Sequence, residues 1–462
     1  MVVVGLLLSR SAGAQSSPAA PETIAVGDWQ LAPTLQLRTR GEYWRDPIAV
    51  GGGPITEGGG ARVRDAWLVF ERSRVGLGAE RGPLRAQVTL QDTRGWGDGG
   101  GNPLALTPLF APFEAFAEIR SSAARPSFLR IGRQAVEWGE GNLVGVADWS
   151  PYARSLDAAR GHVATGNFDF EALAAILDAS SPSPYHFGPS AAGSSSGTQI
   201  YGVSAGWSVD PALKVEVFAL ARVAREAGVG PSRFATAALR GETYTAEIRA
   251  SGDAKGLRYA VEGAYQLGDA SALAPGGVTR AAYAGAAHVA RTFDGLVLTP
   301  TLRVGASYAS GDSGGGKYTQ FDPLLPDVHV RYGAMDAFAW SNVADVNGRV
   351  TLVPWTDTLV TIEYRYARLA DAGGEWLNGY LFTVGRAPGN ASADLGQEID
   401  AGFSWQPWAP LDLRAGYSGL LLGDGARTIL AGQARGAPQP NGTFAPAAVA
   451  HFTYLQATLA VP

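Results

Sequence analysis

The sequence contains no cysteine among its 462 residues, and this excludes disulfide frameworks, thiolate metal sites, iron–sulfur clusters and thiol catalysis. It is also poor in charge, since Asp, Glu, Lys and Arg together make up 17% of the chain. Its basic residues are nearly all arginines, accompanied by the lysines Lys214, Lys255 and Lys317, and the formal net charge is −5. A slightly acidic chain gives no reason to expect a nucleic-acid partner.

Long apolar runs are missing as well. No stretch approaches the roughly 18 to 20 apolar residues that a membrane-spanning helix needs, so any membrane role must come from strands. The short apolar run at residues 1–8 precedes the small residues Ala12, Gly13 and Ala14. This pattern predicts a signal peptide over residues 1–14 with cleavage before Gln15. The alternative interpretation is a frayed apolar terminus.

Apolar and polar residues alternate along most of the remaining chain. Residues 84–91, 244–249 and 360–366 are examples of a period of two, which predicts β-strands. Each such segment is about ten residues long, the length that a tilted strand needs to cross a bilayer. The best helical candidate, residues 170–177, alternates equally well as a strand. The pattern therefore predicts an all-β fold.

Short and long connections alternate between these segments. Short turns are predicted at residues 80–83, 165–167, 209–211, 252–256, 292–295, 354–357 and 407–410. Long loops rich in Gly, Pro and Ser are predicted at residues 47–60, 95–112, 180–197, 268–278, 311–334, 370–395 and 421–447. This alternation is typical of outer-membrane barrels, whose periplasmic turns are short and extracellular loops long. We predict a transmembrane antiparallel β-barrel of about 18 strands. It would form one domain over residues 15–462, with both termini in the periplasm and no ordinary core.

One face of the predicted strands carries charges of both signs. Ionised groups are costly in hydrocarbon, so this face predicts a water-filled lumen and hence a channel. The predicted lumen cations along the substrate path are Arg38, Arg40, Arg72, Arg74, Arg85, Arg133, Arg303, Arg349, Arg365 and Arg414. The predicted lumen acids are Glu118, Glu216, Glu247, Glu262, Glu363, Asp400 and Asp412. Charges that pair across strands brace the wall, and the unpaired ones set the selectivity.

Arginine is suited to a carboxylate site because its planar fork binds both oxygens and stays charged. Arg130 and Arg133 have opposite parity, so a regular strand places one of them in the lumen, and we predict Arg133. Aromatic residues near strand ends predict interfacial girdles, with sugar stacking in the lumen as the alternative. These aromatic residues are Trp29, Trp44, Trp207, Trp355, Trp405, Trp408, Tyr417 and Tyr454.

Local motifs indicate no catalytic site, metal or cofactor. Residues 311–317 have the spacing of a phosphate-binding loop, but Tyr318 replaces the Ser or Thr that binds magnesium and no helix follows. Asp312, Asp322 and Asp327 could collect calcium, yet their spacing is not that of a known binding loop, which favours solvated loop acids. The five histidines show no paired metal spacing, and no serine lies in a nucleophile elbow.

Several separated motifs resemble the alginate-export family of outer-membrane porins. They are the Gly132-Arg133-Gln134 motif, the glycine-rich turn at residues 137–145, Asp148-Trp149, and residues 321–324, 332–336, 340–342, 364–370 and 395–400. The resemblance implies a monomeric barrel of about 18 strands, with an arginine-rich constriction that passes anionic uronate polymers or small carboxylated solutes.

The chain also departs from the family pattern. Gly141-Asn142 stands where Gly-Arg is common, and Ser341 replaces the usual glutamine before Asn342. The final strand lacks a terminal aromatic residue.

Two functional hypotheses follow. The first is a passive channel for anionic oligosaccharides, of the alginate-like uronate type, or for small carboxylated solutes. Its expected partners are outer-membrane lipid, the anionic solute and periplasmic export components. The second is a structural or surface-interaction barrel whose loops at residues 311–334 and 370–395 plug the lumen. An outer-membrane hydrolase is a third and less favoured alternative, because it needs a Ser–His pair that meets in space.

Overall fold

The computed structural model describes most of the chain outside residues 1–22. The described residues are 23–50, 53–54, 65–97, 109–176, 199–224, 241–270, 278–312, 314–327, 329, 331–381, 383–387, 389, 391–433, 437–438 and 444–461. The predicted signal peptide and the predicted loop at residues 180–197 lie outside them. The predicted loops at residues 47–60, 95–112, 268–278, 311–334, 370–395 and 421–447 lie partly outside them.

Alternating segments form one large antiparallel sheet of 19 strands. The short strand Ile24–Val26 pairs with the start of the next strand, and the others close into a ring. In chain order these are β1 Trp29–Arg45, β2 Asp65–Arg81, β3 Leu84–Gly97, β4 Leu109–Arg120, β5 Phe128–Gln134, β6 Leu156–Thr165, β7 Phe168–Ile176, β8 Gln199–Asp210, β9 Leu213–Ala224, β10 Gly241–Ala254, β11 Leu257–Asp269, β12 Thr279–Thr292, β13 Thr301–Ala309, β14 Val343–Leu352, β15 Thr358–Arg368, β16 Asp394–Trp408, β17 Leu411–Leu422 and β18 Val449–Val461.

The sheet closes because β1 pairs with β2 on one side and with β18 on the other. Arg38 lies opposite Arg72 of β2 and opposite Thr458 of β18. Closure pairs each of the 18 ring strands on both sides within the described residues, so the ring itself offers no free edge to another chain. The predicted barrel and strand number are therefore confirmed.

Strand parity separates two faces of the barrel wall. Large apolar side chains such as Val75, Val203, Ile248 and Ile399 are exposed on the outside. Charged side chains of the opposite parity point inward, as expected for a wall with lipid on one side and water on the other. No helix in the described part of the chain is long and apolar enough to span a bilayer.

The two ends of the barrel differ in their connections. At the turn end, where the ring also begins and finishes, the connections are residues 82–83, 121–127, 166–167, 211–212, 255–256, 293–300, 353–357 and 409–410. At the loop end most connections are much longer, and residues 135–155 form one that the sequence did not predict. A helix, α1 Asp424–Gly432, lies within the predicted loop at residues 421–447 and was not expected either.

Long connections fold inward and form a buried apolar core at the loop end. Its members include Trp138, Leu143, Phe321, Leu324, Leu325, Phe338, Trp340, Trp376, Leu395 and Ile429. The expectation of a barrel without an ordinary core is wrong in this respect. Apolar loop residues avoid water by packing against each other and against the wall, which provides the usual hydrophobic gain of about 25 cal/mol per Å² buried.

Candidate channel lumen

Two connections lie inside the barrel and determine the shape of the lumen. We call residues 135–155 the first inner segment and the described residues of 310–342 the second inner segment. The segments join through backbone hydrogen bonds: the N–H of Leu325 donates to the carbonyl of Leu143 at 2.9 Å, and the N–H of Gly145 donates to the carbonyl of Leu325 at 2.8 Å. They therefore form one unit across the lumen.

Glycine is required where the segments approach most closely. A Cβ atom at Gly145 would lie 2.7 Å from the Cβ of Asp327 and 2.9 Å from its backbone nitrogen. Arg154 stabilises the same contact between the segments, because its Nη1 donates to the carbonyls of Gly145 at 2.7 Å and Leu325 at 2.6 Å. The sequence thus encodes close packing between two segments that are far apart in the chain.

The first inner segment is attached to β1 and β2 by a cluster of arginines around one carboxylate. Asp148 accepts hydrogen bonds from Arg72 at 2.8 and 3.2 Å and from Arg74 at 3.3 Å, and Arg38 lies 3.6 Å away. Burial opposes ionisation of Asp148, but the three guanidinium groups outweigh it and hold the pKa of Asp148 well below its usual range. The carboxylate is therefore charged at neutral pH.

Aromatic rings continue this contact toward the second inner segment. The Arg40 guanidinium lies 3.7 Å from the ring centre of Trp149, a cation–π distance. Trp149 stacks on His329 with ring centres 3.8 Å apart and meets Tyr454 edge-on. Trp44 stacks on Phe452 nearby. Trp44 and Tyr454 therefore face the lumen, and their assignment to an interfacial girdle is wrong.

A second carboxylate of the first inner segment meets the opposite wall. Glu140 pairs with Arg331 of the second inner segment and with Arg249 of β10 at 2.8 Å, and His288 of β12 lies 3.7 Å away. Burial opposes ionisation, but Arg331, His288 and Arg249 lower the pKa of Glu140 to about 2. Glu140 therefore links both inner segments to the wall as an anion.

The second inner segment is also attached at its two flanks. On β16, Glu398 accepts the N–H of Met335 at 3.0 Å and Asp400 accepts that of Ala334 at 3.3 Å. On the other flank, the backbone N–H of Asp322 donates to the Oε1 of Gln266 at 2.9 Å. The carbonyl of Asp322 accepts a hydrogen bond from the Nε2 of Gln266 at 2.6 Å. These contacts fix the segment between β11 and β16.

Nine of the ten predicted lumen cations lie on the inward face of the strands. Arg133 is the exception. It lies opposite Ala115 of β4 and Asp157 of β6, both of outward parity, and it pairs with Asp157 at 2.9 Å. Arg130 takes the inward position, where it is buried and pairs with Glu118. The prediction for Arg133 is corrected because parity alone could not choose between the two arginines.

The predicted acids all have inward parity, and the structure joins many of the predicted residues in pairs. Glu363 pairs with Arg349 and, at 2.8 Å, with Arg365. Asp412 pairs with Arg414 at 2.6 Å. Arg85 lies toward the turn end, 3.4 Å from Glu80. The predicted residues thus spread over the length of the wall and do not form a single ring.

Sequence reasoning missed the site residues of the inner segments, namely Asp148, Glu140, Asn142, Arg154 and Arg331. A usable signal exists in the composition, because a water-exposed loop has no reason to contain Phe321, Leu324, Phe338 and Trp340. The loop acids considered for calcium have separate partners. Asp312 accepts from Thr319, Asp322 pairs with Arg222, and Asp327 belongs to the contact between the inner segments.

Comparison with known proteins gives a family and a fold. A sequence model of the alginate export family matches residues 30–434. None of the curated protein sequences matches the chain. Several solved Pseudomonas aeruginosa barrels have a similar fold. OccK5 (OpdH) has a TM-score of 0.56 at 9% identity and covers 93% of this chain and 98% of its own.

Two of the similar structures contain ligands. OpdK with vanillate has a TM-score of 0.55 at 12% identity, covering 93% of this chain and 98% of its own. OccK2 (OpdF) in complex with glucuronate has a TM-score of 0.55 at 10% identity, covering 94% of this chain and 98% of its own. At such low identity the likeness concerns the architecture of the barrel.

Proposed function

Since the chain belongs to the alginate-export family, we propose that this bacterial outer-membrane barrel is a passive channel for anionic oligosaccharides of the uronate type or for small carboxylated solutes. Its fold is that of outer-membrane transport channels. The solute would move down its own gradient along the arginines of the inward face. We expect it to act as a monomer in contact with outer-membrane lipid, and periplasmic export components are its expected protein partners.

The observation that carries this proposal is the arginine cluster around Asp148. Three side chains of β1 and β2, Arg38, Arg72 and Arg74, converge on one carboxylate inside the lumen. Arginine donors bind carboxylates in a planar and often bidentate geometry. The wall therefore has the groups and the spacing that a solute carboxylate needs, and Asp148 occupies this one site.

Acids elsewhere on the wall are compatible with passage of an anion. A path lined by cations alone would hold an anion tightly, whereas conduction needs binding sites weak enough for the anion to leave them. The pairs of Glu363 with Arg349 and Arg365 reduce the local positive potential. The ligands of two barrels with a similar fold, vanillate and glucuronate, carry carboxylates and supply suitable first probes.

The proposal is tested with the full chain in planar bilayers. We expect anion-selective conductance that oligouronates interrupt and neutral oligosaccharides of equal length do not. The variant Arg303→Gln is expected to weaken this block, because Arg303 makes no ion pair among the described residues. Arg125→Gln, on a turn at the other end from the loops, serves as a matched control. Cation selectivity without block by oligouronates would contradict the proposal.

The second candidate function is a structural or surface-interaction barrel. The observation that favours it is the position of the two inner segments, which join each other within the lumen. A closed barrel of this kind would show conductance near zero in the intact protein and an open state after deletion of residues 311–334 or 370–395. Stable conductance of the intact chain would exclude it.

A further inference from the structure

The connection between β12 and β13 exposes large apolar side chains at the turn end of the barrel. We call residues 293–300 the apolar turn. It carries Leu296, Val297 and Leu298, whose exposed fractions are 58, 88 and 40%. Contact of three consecutive apolar side chains with water is unfavourable. Their exposure therefore indicates that something other than water surrounds this turn.

Large apolar side chains are confined to one sector of the turn end. The second turn that has them is the connection between β14 and β15, which contains Val353 and Trp355. Leu, Ile, Val, Met, Phe, Tyr and Trp are absent from the other connections at this end, namely residues 82–83, 121–127, 166–167, 211–212, 255–256 and 409–410. The apolar turn is therefore a local feature of the side formed by β12 to β15.

The two turns are joined to each other and to the outer face of the wall. The backbone N–H of Val353 donates to the carbonyl of Leu298 at 2.7 Å. Trp355, two residues further on, is exposed, and its ring centre lies 6.1 Å from that of Phe403 on the outward face of β16. Tryptophan is enriched where lipid meets water. The apolar turn therefore continues the surface that the wall presents to lipid.

Backbone strain accompanies this arrangement. Leu298 and Thr299 have φ angles of 66° and 42°, in the left-handed region that bulky and β-branched residues avoid. A turn that serves closure alone can use residues without this cost, as Gly166 and Asn167 do between β6 and β7. The sequence keeps an apolar side chain at position 298 in spite of the strain, which favours a role for that side chain.

A cation lies beside the apolar turn on the same face of the wall. Arg291 of β12 is exposed and lies between Leu257 of β11 and Leu302 of β13, which are both exposed on the outside. Its guanidinium is 5.7 Å from the ring centre of Phe293, so the side chain extends toward the turn. Arg291 makes no ion pair among the described residues. A cation on a lipid-facing wall must reach the headgroups, where phosphate is the anion that a bilayer offers.

We propose that the apolar turn is a lipid anchor in the periplasmic leaflet of the outer membrane. Leu296, Val297 and Leu298 lie at the boundary between headgroups and acyl chains, and Arg291 binds the phosphate of an anionic phospholipid. A phospholipid matches both the continuity with the lipid-facing wall and the outward cation without an acid. The anchor holds the side of the barrel from which the second inner segment projects, and it is independent of the solute that passes.

The absence of cysteine allows a fluorescent label to be placed at a single site. In Val297→Cys the label lies on the apolar turn, and in Ala123→Cys it lies on residues 121–127, a polar turn of similar length. Both full-length chains are placed in lipid nanodiscs, which leave each side of the bilayer open to solvent. We expect a spin-labelled phospholipid to quench the label at position 297 and aqueous iodide to quench it at position 123. Equal behaviour of the two sites, or quenching at position 297 by iodide alone, would overturn the proposal and leave the surface to a soluble partner.

Further variants assign the effect to the apolar side chains. Leu296→Ser combined with Leu298→Ser, in the labelled Val297→Cys chain, should reduce quenching by the spin-labelled lipid to the level found at position 123. Asp294→Asn changes the same turn without touching its apolar side chains and should leave the quenching as it was. These side chains are exposed, so the barrel should fold in both cases. Unchanged quenching in the double serine variant would overturn the anchoring role of Leu296 and Leu298.

The role of Arg291 is tested by changing the headgroup that carries the spin label. At equal mole fraction, spin-labelled phosphatidylglycerol should be enriched about fivefold over spin-labelled phosphatidylcholine beside position 297, the effect expected of one arginine on an anionic lipid. Arg291→Gln should bring this ratio to about one. Arg125→Gln, whose wild-type side chain pairs with Asp169 near another turn, should leave the ratio unchanged. Equal quenching by the two lipids in the chain that retains Arg291 would overturn the phosphate site.

Discussion

The lumen contains two arginine sites that differ in how their positive charge is compensated. At β1 and β2, Arg38, Arg72 and Arg74 surround Asp148, a carboxylate that the chain itself supplies. At β13, Arg303 has a neutral hydrogen-bond partner and makes no ion pair among the described residues. The first site fixes an inner segment, and we propose that the second is available to a solute. Arginine content alone therefore says little about which side chains select anions.

The comparison predicts its largest effect at Asp148. In Asp148→Ala, three guanidinium groups would lose their common carboxylate, and an uncompensated buried charge costs about 3–5 kcal/mol. We expect a lower temperature of barrel unfolding, measured by heat-dependent electrophoretic mobility, together with stronger block by added carboxylates. The conservative Asp148→Glu variant serves as the control. Unchanged stability would contradict the structural role of this site.

A smaller effect is expected at Glu140, whose pKa of about 2 lies below its ordinary value near 4.5. The stabilisation that this carboxylate provides is present above the ordinary pKa and is lost as the pH falls toward 2. The loss is on the order of 2–3 kcal/mol. Tryptophan fluorescence of the wild type should change across this window more than that of Glu140→Gln. Identical acid transitions would reject the link.

Packing between the inner segments gives a third prediction. A methyl group at position 145 would press against Asp327 at 2.7 Å, and overpacking of this kind costs about 1–3 kcal/mol. We expect Gly145→Ala to lower the unfolding temperature and to increase current noise as the segments separate. Gly161→Ala, where a Cβ meets no atom within 4 Å, is the matched control. Equal behaviour of the two variants would argue against a close contact.

The smallest effect on stability is expected at Arg303. Its removal leaves no paired acid behind, so the free energy of unfolding of Arg303→Gln should lie within about 0.5 kcal/mol of the wild-type value. Its ratio of anion to cation permeability should fall about fivefold, as loss of roughly 1 kcal/mol of attraction implies. The readouts are the unfolding temperature and the reversal potential. A large loss of stability with unchanged selectivity would reverse the comparison between the two sites.

Much of the barrel could be predicted from the sequence, because strand alternation and turn chemistry are local. The turn at residues 165–167 and the inward parity of Arg38 and Arg365 follow from a period of two. Arg133 and Arg130 could not be separated in this way, since both faces of β5 carry an arginine. The resolution came from the neighbouring strands, where Glu118 faces inward and Asp157 outward.

The inner segments could not be predicted because their positions depend on contacts between distant residues. Asp148 meets Arg72 across 76 residues, and Arg154 meets Leu325 across 171. The periodicity of apolar residues along the sequence carries no information about such contacts. Trp44 and Tyr454 were misplaced for a different reason, because their position near strand ends was weighed above strand parity. Trp44 has the same parity as Arg38 and Arg40, and in the lumen it stacks on Phe452 while Tyr454 meets Trp149.

The central claim is that this lumen selects anions through unpaired arginine charge. The most direct measurement is the reversal potential of the full chain in a planar bilayer across a gradient of potassium chloride, in the wild type and in Arg303→Gln. The account predicts anion selectivity in the wild type and a shift toward cations in the variant. Cation selectivity of the wild type, or no shift in the variant, would contradict it.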